Sequence, residues 1–148
     1  MTELTDRTLA TQLFNRCWEI LEMESRSTED DVELITSALT SRYHWLNGGT
    51  AEQWIISDWM VSRAAGVVGA FELSLSFARR AHDAAQNGVF PDWLIASTAE
   101  GMARAYACAG NADEFGKWDA LAGRLVEVIA DEEDRALIAG QLAELSSP

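Results

Sequence analysis

The sequence predicts an all-α fold of about seven helices, and three observations carry that prediction. Only two prolines occur, Pro91 and Pro148, so nothing before residue 91 must accommodate a residue without an amide donor. Apolar residues recur at i, i+3, i+4 and i+7, the period of one helix face, rather than alternating as in a strand. No Asn-Gly or Asp-Gly pair sits between β-branched runs, so β-hairpins have no support. The 148 residues amount to one domain, 1–148, long enough to fold without a disulfide or metal.

The first helix is expected from about Thr5 to Met23, with Leu9, Leu13, Cys17 and Ile20 on one stripe and Phe14, Trp18 and Leu21 beside it. A second begins near Thr28, where Glu29, Asp30, Asp31 and Glu33 suit the positive end of the helix dipole; Val32, Ile35, Leu39 and Leu46 are its expected buried face. Asn47-Gly48-Gly49 stops it, and Thr50 with Gln53 forms a capping box for the next. The third helix, Glu52 to about Val68, is apolar nearly all round and so predicts a surrounded element in which Asp58 and Arg63 need partners. A fourth follows from Ala70 to Gln86, with Leu73, Phe77, Ala81 and Ala84 at helical spacing. Asp92 is the expected cap of a fifth carrying Leu94, Ile95, Met102, Tyr106 and Ala109, closed by Gly110. Asn111 to Glu114 opens a sixth with Phe115, Trp118, Leu121, Leu125, Val126 and Ile129. The acidic run Asp131 to Asp134 marks a break before a last helix with Leu137, Ile138, Leu142 and Leu145. These group as an N-terminal pair (1–49), two repeat-like pairs (50–88 and 91–130) and a C-terminal capping helix (131–148), with the six tryptophans mostly in the core.

A net charge of −13, with Lys117 the single lysine, offers no basic field to displace counterions, so nucleic acid is not an expected partner. No uncharged run approaches the ~18 residues of a membrane span. The acidic N-terminal stretch lacks the features of a signal peptide, so the expected location is cytoplasmic. Cys17 and Cys108, inside apolar helical stretches, read as inert buried thiols.

A repeat is visible. Val61-Ser-Arg63-Ala64-Ala-Gly-Val-Val-Gly69 aligns with Met102-Ala-Arg104-Ala105-Tyr-Ala-Cys-Ala-Gly110 at an offset of 41, and Phe77 and Ala81 align with Trp118 and Ala122. At these residues the chain resembles the tetratricopeptide-repeat superfamily. More closely, Tyr43-His44-Trp45-Leu46, Ser62-Arg63, Ala78-Arg79-Arg80-Ala81, Ala103-Arg104-Ala105-Tyr106 and Ile129-Ala-Asp-Glu-Glu-Asp-Arg135 are similar to a group of small, uncharacterised bacterial tetratricopeptide-like proteins. The resemblance implies antiparallel helical hairpins in a right-handed stack with a concave surface. It implies no activity. The 41-residue spacing departs from the usual ~34, and Asp58 and Ala99 stand where that repeat carries tryptophan.

On that architecture Arg63, Arg104, Trp59 and Glu100 occupy groove-facing positions, with Arg104 four residues after Glu100 and Arg63 four after Trp59. The spacing predicts an intrahelical ion pair and a cation–π contact. Two arginines on one groove would hold a carboxylate-bearing, acidic protein or peptide partner. The expected function is therefore a protein-interaction module. The alternative is a small-molecule-binding or enzymatic pocket enclosed by His44, Trp54, Trp59, Glu100, Arg104 and Tyr106. A third expectation is a homodimer formed through exposed apolar surface. No catalytic set stands out: there is no Gly-x-Ser-x-Gly elbow, no phosphate loop, no calcium loop and no Glu-x-x-His pair, so neither catalytic residues, nor a metal, nor a cofactor is expected. His44 beside Trp45 reads as packed and hydrogen-bonded, and His82 as solvated near a helix end.

Overall fold

A computed structural model describes residues 3–148. Among them are seven helices and no strand: α1 (Asp6–Leu21), α2 (Thr28–Gly48), α3 (Ala51–Val67), α4 (Phe71–Gln86), α5 (Asp92–Cys108), α6 (Ala112–Glu127) and α7 (Glu132–Ala143). No helix is long and apolar enough to cross a membrane.

Side chains near each start explain most of the boundaries. Ser27 Oγ accepts from the Asp30 amide at 3.1 Å while the Asp30 carboxylate accepts from the Ser27 amide at 2.8 Å, opening α2. Thr5 and Thr8 exchange the same two bonds at the head of α1. Gln53 Oε1 accepts from the Thr50 amide at 3.0 Å, and Asn111 and Asp131 cap α6 and α7 through the amides of Glu114 and Asp134. Asp92 does not cap α5. It is the first helical residue after Pro91, and its carboxylate instead accepts from the Ala130 amide at 3.0 Å, tying the head of α5 to the turn before α7.

The 41-residue correspondence recurs in the backbone. The bounds of α3 and α4 reappear, residue for residue, 41 positions later as those of α5 and α6. Gly69 and Gly110 close α3 and α5 at φ of +85° and +76°, the left-handed region glycine enters without a Cβ clash. Ala70 N then reaches back to Ala65 O at 2.8 Å, and Asn111 N to Tyr106 O at 3.0 Å, so both helices end in the same bonded turn.

Each helix packs on its sequence neighbours, and the odd-numbered helices also touch in succession, α1 on α3, α3 on α5 and α5 on α7. The main core joins Cys17 and Ile20 of α1, Leu34 and Ala38 of α2, Ile55, Met60, Val61 and Ala64 of α3, Ala81 and Ala85 of α4 and Leu94 of α5. Most of the apolar surface of α3 is buried, Ile55, Trp59, Met60, Val61, Ala64 and Ala65 among it, while Ile56 and Val67 are half-buried and Trp54 stays exposed. Two hydroxyls fasten it to α4: Ser62 Oγ donates to Ser74 O and Ser74 Oγ to Ser62 O, both at 2.8 Å.

Three expectations are corrected. The buried face of α2 is not Val32, Leu39 and Leu46, which stand 52%, 40% and 44% exposed; Leu34, Ser37, Ala38, Ser41 and Trp45 face inward instead. Small residues let α1 approach, and Ser41 Oγ is satisfied by Ala10 O at 2.8 Å, so polarity does not drive that face outward. Ala84 and Ala109 are likewise exposed; beside Ala84, Ala85 takes the inward position on α4, and Ala109 caps the end of α5. Only Trp45 and Trp59 of the six tryptophans are buried; Trp18, Trp93 and Trp118 are half-buried and Trp54 is exposed.

Candidate functional site

The two charges embedded in α3 meet different fates. Asp58 accepts from Arg42 Nε of α2 and lies 3.7 Å from Arg80 of α4, both guanidinium groups also sitting over the Phe77 ring. Arg63 points the other way, toward the odd-numbered helices. Its Cζ is 4.9 Å from the centre of the Trp18 ring and 5.7 Å from that of Trp59, which are themselves 5.9 Å apart. Nε and Nη1 of Arg63 are buried with no hydrogen-bond acceptor, and the negative faces of the two indoles offset part of that cost. Burial, reinforced by the positive charge of Arg104, pulls its pKa below the ordinary arginine value.

The structure brings together all four residues assigned to the groove. Fully buried Glu100 accepts from Arg104 Nε at 2.7 Å through one oxygen and from Trp59 Nε1 at 3.2 Å through the other. Gly101 makes room for this, since a Cβ there would lie 2.9 Å from Trp59 Cδ1. Arg104 Nη2 continues to α7, donating to Gln141 O at 3.2 Å and Glu144 Oε2 at 3.3 Å, and Arg63 Nη2 reaches the same Glu144 oxygen at 3.5 Å. The two arginines thus converge on one carboxylate oxygen.

Adjacent to this cluster is a cavity of about 180 Å³, lined by Phe14 and Trp18 from α1, Ile56 and Trp59 from α3, Trp93, Leu94 and Ser97 from α5, and Asp134, Leu137, Ile138 and Gln141 from α7. No Cα of α1 comes within 8 Å of one of α7, so the cavity bridges two helices that do not pack on each other. An engineered apolar cavity of ~150 Å³ holds benzene, so the space is right for a single ring or a leucine-sized side chain. Its walls Trp18, Trp59 and Gln141 are also contacts of the arginines.

The alternative six-residue pocket is not gathered in one place. His44 Nδ1 pairs with Asp6 at 2.7 Å, beside the head of α1. Trp54 donates to Trp45 O at 2.8 Å and lines a separate open depression of about 550 Å³ with Arg42, Asp58 and Arg80. Tyr106 OH accepts from Arg79 at 3.0 Å on the α4 side. Only Trp59, Glu100 and Arg104 remain together, because successive turns on one helix face meet a common neighbour while residues elsewhere on the helix do not.

His82 is half-buried rather than freely solvated. It packs edge-on against Trp118 at 4.8 Å with Thr98 Oγ1 at 3.4 Å from Nδ1, and burial lowers its pKa. Cys17 is buried and its thiol is pushed up to about 12, whereas Cys108 is only half-buried, with its pKa raised by the same cause.

Sequence reasoning missed Phe14, Trp18, Trp93, Leu137, Gln141 and Glu144 as site residues. Trp18 and Trp93 did carry a signal, since tryptophan on a half-buried helix face is costly to leave unpartnered; Glu144, at a helix end, carried none.

Comparison of the chain with models of protein families, with curated proteins and with solved structures finds no significant match.

Proposed function

We propose that this chain is a protein-interaction module whose inner face, formed by α1, α3, α5 and α7, takes a short segment of a partner polypeptide. An apolar side chain of that segment would enter the cavity between α1 and α7, and a carboxylate would meet Arg63 and Arg104. The observation that carries this reading is the common wall: Trp18, Trp59 and Gln141 serve both the apolar space and the cationic pair. A half-enclosed aromatic-lined pocket beside desolvated arginine combines the residue types that dominate interface hot spots. The 41-residue recurrence of helix bounds and closing turns supports a stack of helical hairpins of tetratricopeptide-like kind, with the odd-numbered helices on its concave side.

The charge of the whole chain narrows the partner. At −13 the protein repels a strongly acidic segment at long range, so the fitting partner carries one carboxylate in an otherwise neutral or basic stretch. The half-enclosed, one-ring size of the cavity favours a second reading, a small aromatic carboxylate bound as a ligand.

A photo-crosslinking amino acid at Leu137, 62% exposed on the cavity rim, separates the two readings when compared with one at Val89 on the α4–α5 loop. The module reading expects polypeptide adducts at 137 and not at 89, lost on Arg104→Gln. Adducts of small mass alone, or equal labelling at both positions, would contradict it.

A further inference from the structure

We infer that Glu144 is a built-in competitor for this site, and that it marks what the partner must bring: an apolar side chain and, two helical turns along, a carboxylate. The inference rests on the interaction-module reading above. On α7, Leu137 and Ile138 line the cavity while Glu144, at the C-cap, places its carboxylate on both arginines. The offset of six or seven residues is about two turns, roughly 10 Å. The cavity wall and the arginine-bound carboxylate are thus spaced along α7 as an apolar side chain and a carboxylate two turns apart on an amphipathic helical partner would be.

Three features make this occupant displaceable. Its contacts are long, 3.3 and 3.5 Å, and its side chain is 57% exposed, so the ion pairs hold it weakly. Ile138 is the only fully buried residue of α7. Two nitrogens of Arg63, Nε and Nη1, remain unmatched even with Glu144 in place. Counted formally, Glu100 balances one arginine and Glu144 the other, so moving Glu144 aside leaves one positive charge facing the inner surface. A single incoming carboxylate restores the balance, and what the exchange gives up is two long contacts to a carboxylate that is itself more than half exposed.

The test uses a fluorescein-labelled alanine/glutamine peptide carrying one phenylalanine and, two helical turns on, one glutamate, titrated by anisotropy into the full chain. Glu144→Gln should bind it about two- to five-fold more tightly than the unaltered chain, the range expected for removing a weak competing ion pair. A peptide with glutamine in place of its glutamate should show no such gain. Leu137→Glu, an exposed substitution at the cavity rim that leaves the core intact, should abolish binding in both backgrounds. Equal affinity of the unaltered chain and Glu144→Gln, with binding still lost in Leu137→Glu, would overturn the competitor role and leave the site reading standing. Absence of binding by every form would overturn both.

Discussion

Trp59 and Glu100, occupying equivalent positions 41 residues apart on successive odd-numbered helices, bond directly to each other: the indole Nε1 donates to the carboxylate at 3.2 Å. The same carboxylate holds Arg104, so one buried acidic group ties α3 to α5 and orients the cation. Removing it leaves both donors unmatched. Glu100→Ala should destabilise the chain by about 3 kcal/mol, the scale of breaking a buried pair from one side, read as a lower urea midpoint. Glu100→Gln retains an acceptor for Trp59 and should cost less.

Gly101 lies against that bond. Alanine ordinarily stabilises a helix interior over glycine by up to about 1 kcal/mol, and Gly116, Gly123 and Gly140, with open space around them, should follow that rule. At Gly101 the new methyl would meet Trp59 at 2.9 Å, in a packed core, and the sign should reverse to a loss of about 1–3 kcal/mol. Parallel urea titrations of Gly101→Ala and Gly123→Ala check the contrast.

The face of α2 gives a second contrast. Leu34→Ala empties a fully buried position and should cost about 2–5 kcal/mol, whereas Leu39→Ala, on the exposed stripe, should stay within about 0.5 kcal/mol. Equal losses in thermal or urea unfolding would restore the apolar-stripe reading of this helix.

That helix also shows where the sequence was legible and where it was not. Seven helices and most of their ends could be read because caps such as Asn111 and closing glycines such as Gly69 act locally. The orientation of α2 could not, because it depends on Ser37, Ala38 and Ser41 allowing α1 to come close, and a hydrophobic period ranks such residues as surface. Spacing along α3 and α5 was enough to predict the Arg63–Trp59 and Arg104–Glu100 contacts, each one helical turn apart, but not the bond between Trp59 and Glu100 across the two helices. Phe14, Trp18, Leu137 and Glu144 come from the two ends of the chain, and only the closure of the helices around the cavity assembles them.

His82 supplies a pH signature. Its pKa is held below the ordinary 6.5, chiefly by burial and further by Arg79, with Asp83 opposing. The unfolded chain then binds the proton more readily than the folded one, so stability rises with pH across this interval. The contribution is complete above about pH 6.5 and is lost as pH falls through the lower folded-state value. His82→Gln should reduce the fall in urea midpoint between about pH 7.5 and about pH 5 relative to the unaltered chain; an unchanged fall would place the titration elsewhere.

Indole N–H resonances report directly whether and where the proposed partner segment binds. Trp18, Trp59 and Trp93 line the cavity, while Trp54 and Trp118 lie on other surfaces. Titrating the phenylalanine- and glutamate-bearing peptide into ¹⁵N-labelled protein should shift the first three indole signals together with Arg104 Nε–H, and leave Trp54 and Trp118 in place. Shifts confined to Trp54, or none at any indole at saturating peptide, would contradict the inner face as the binding surface.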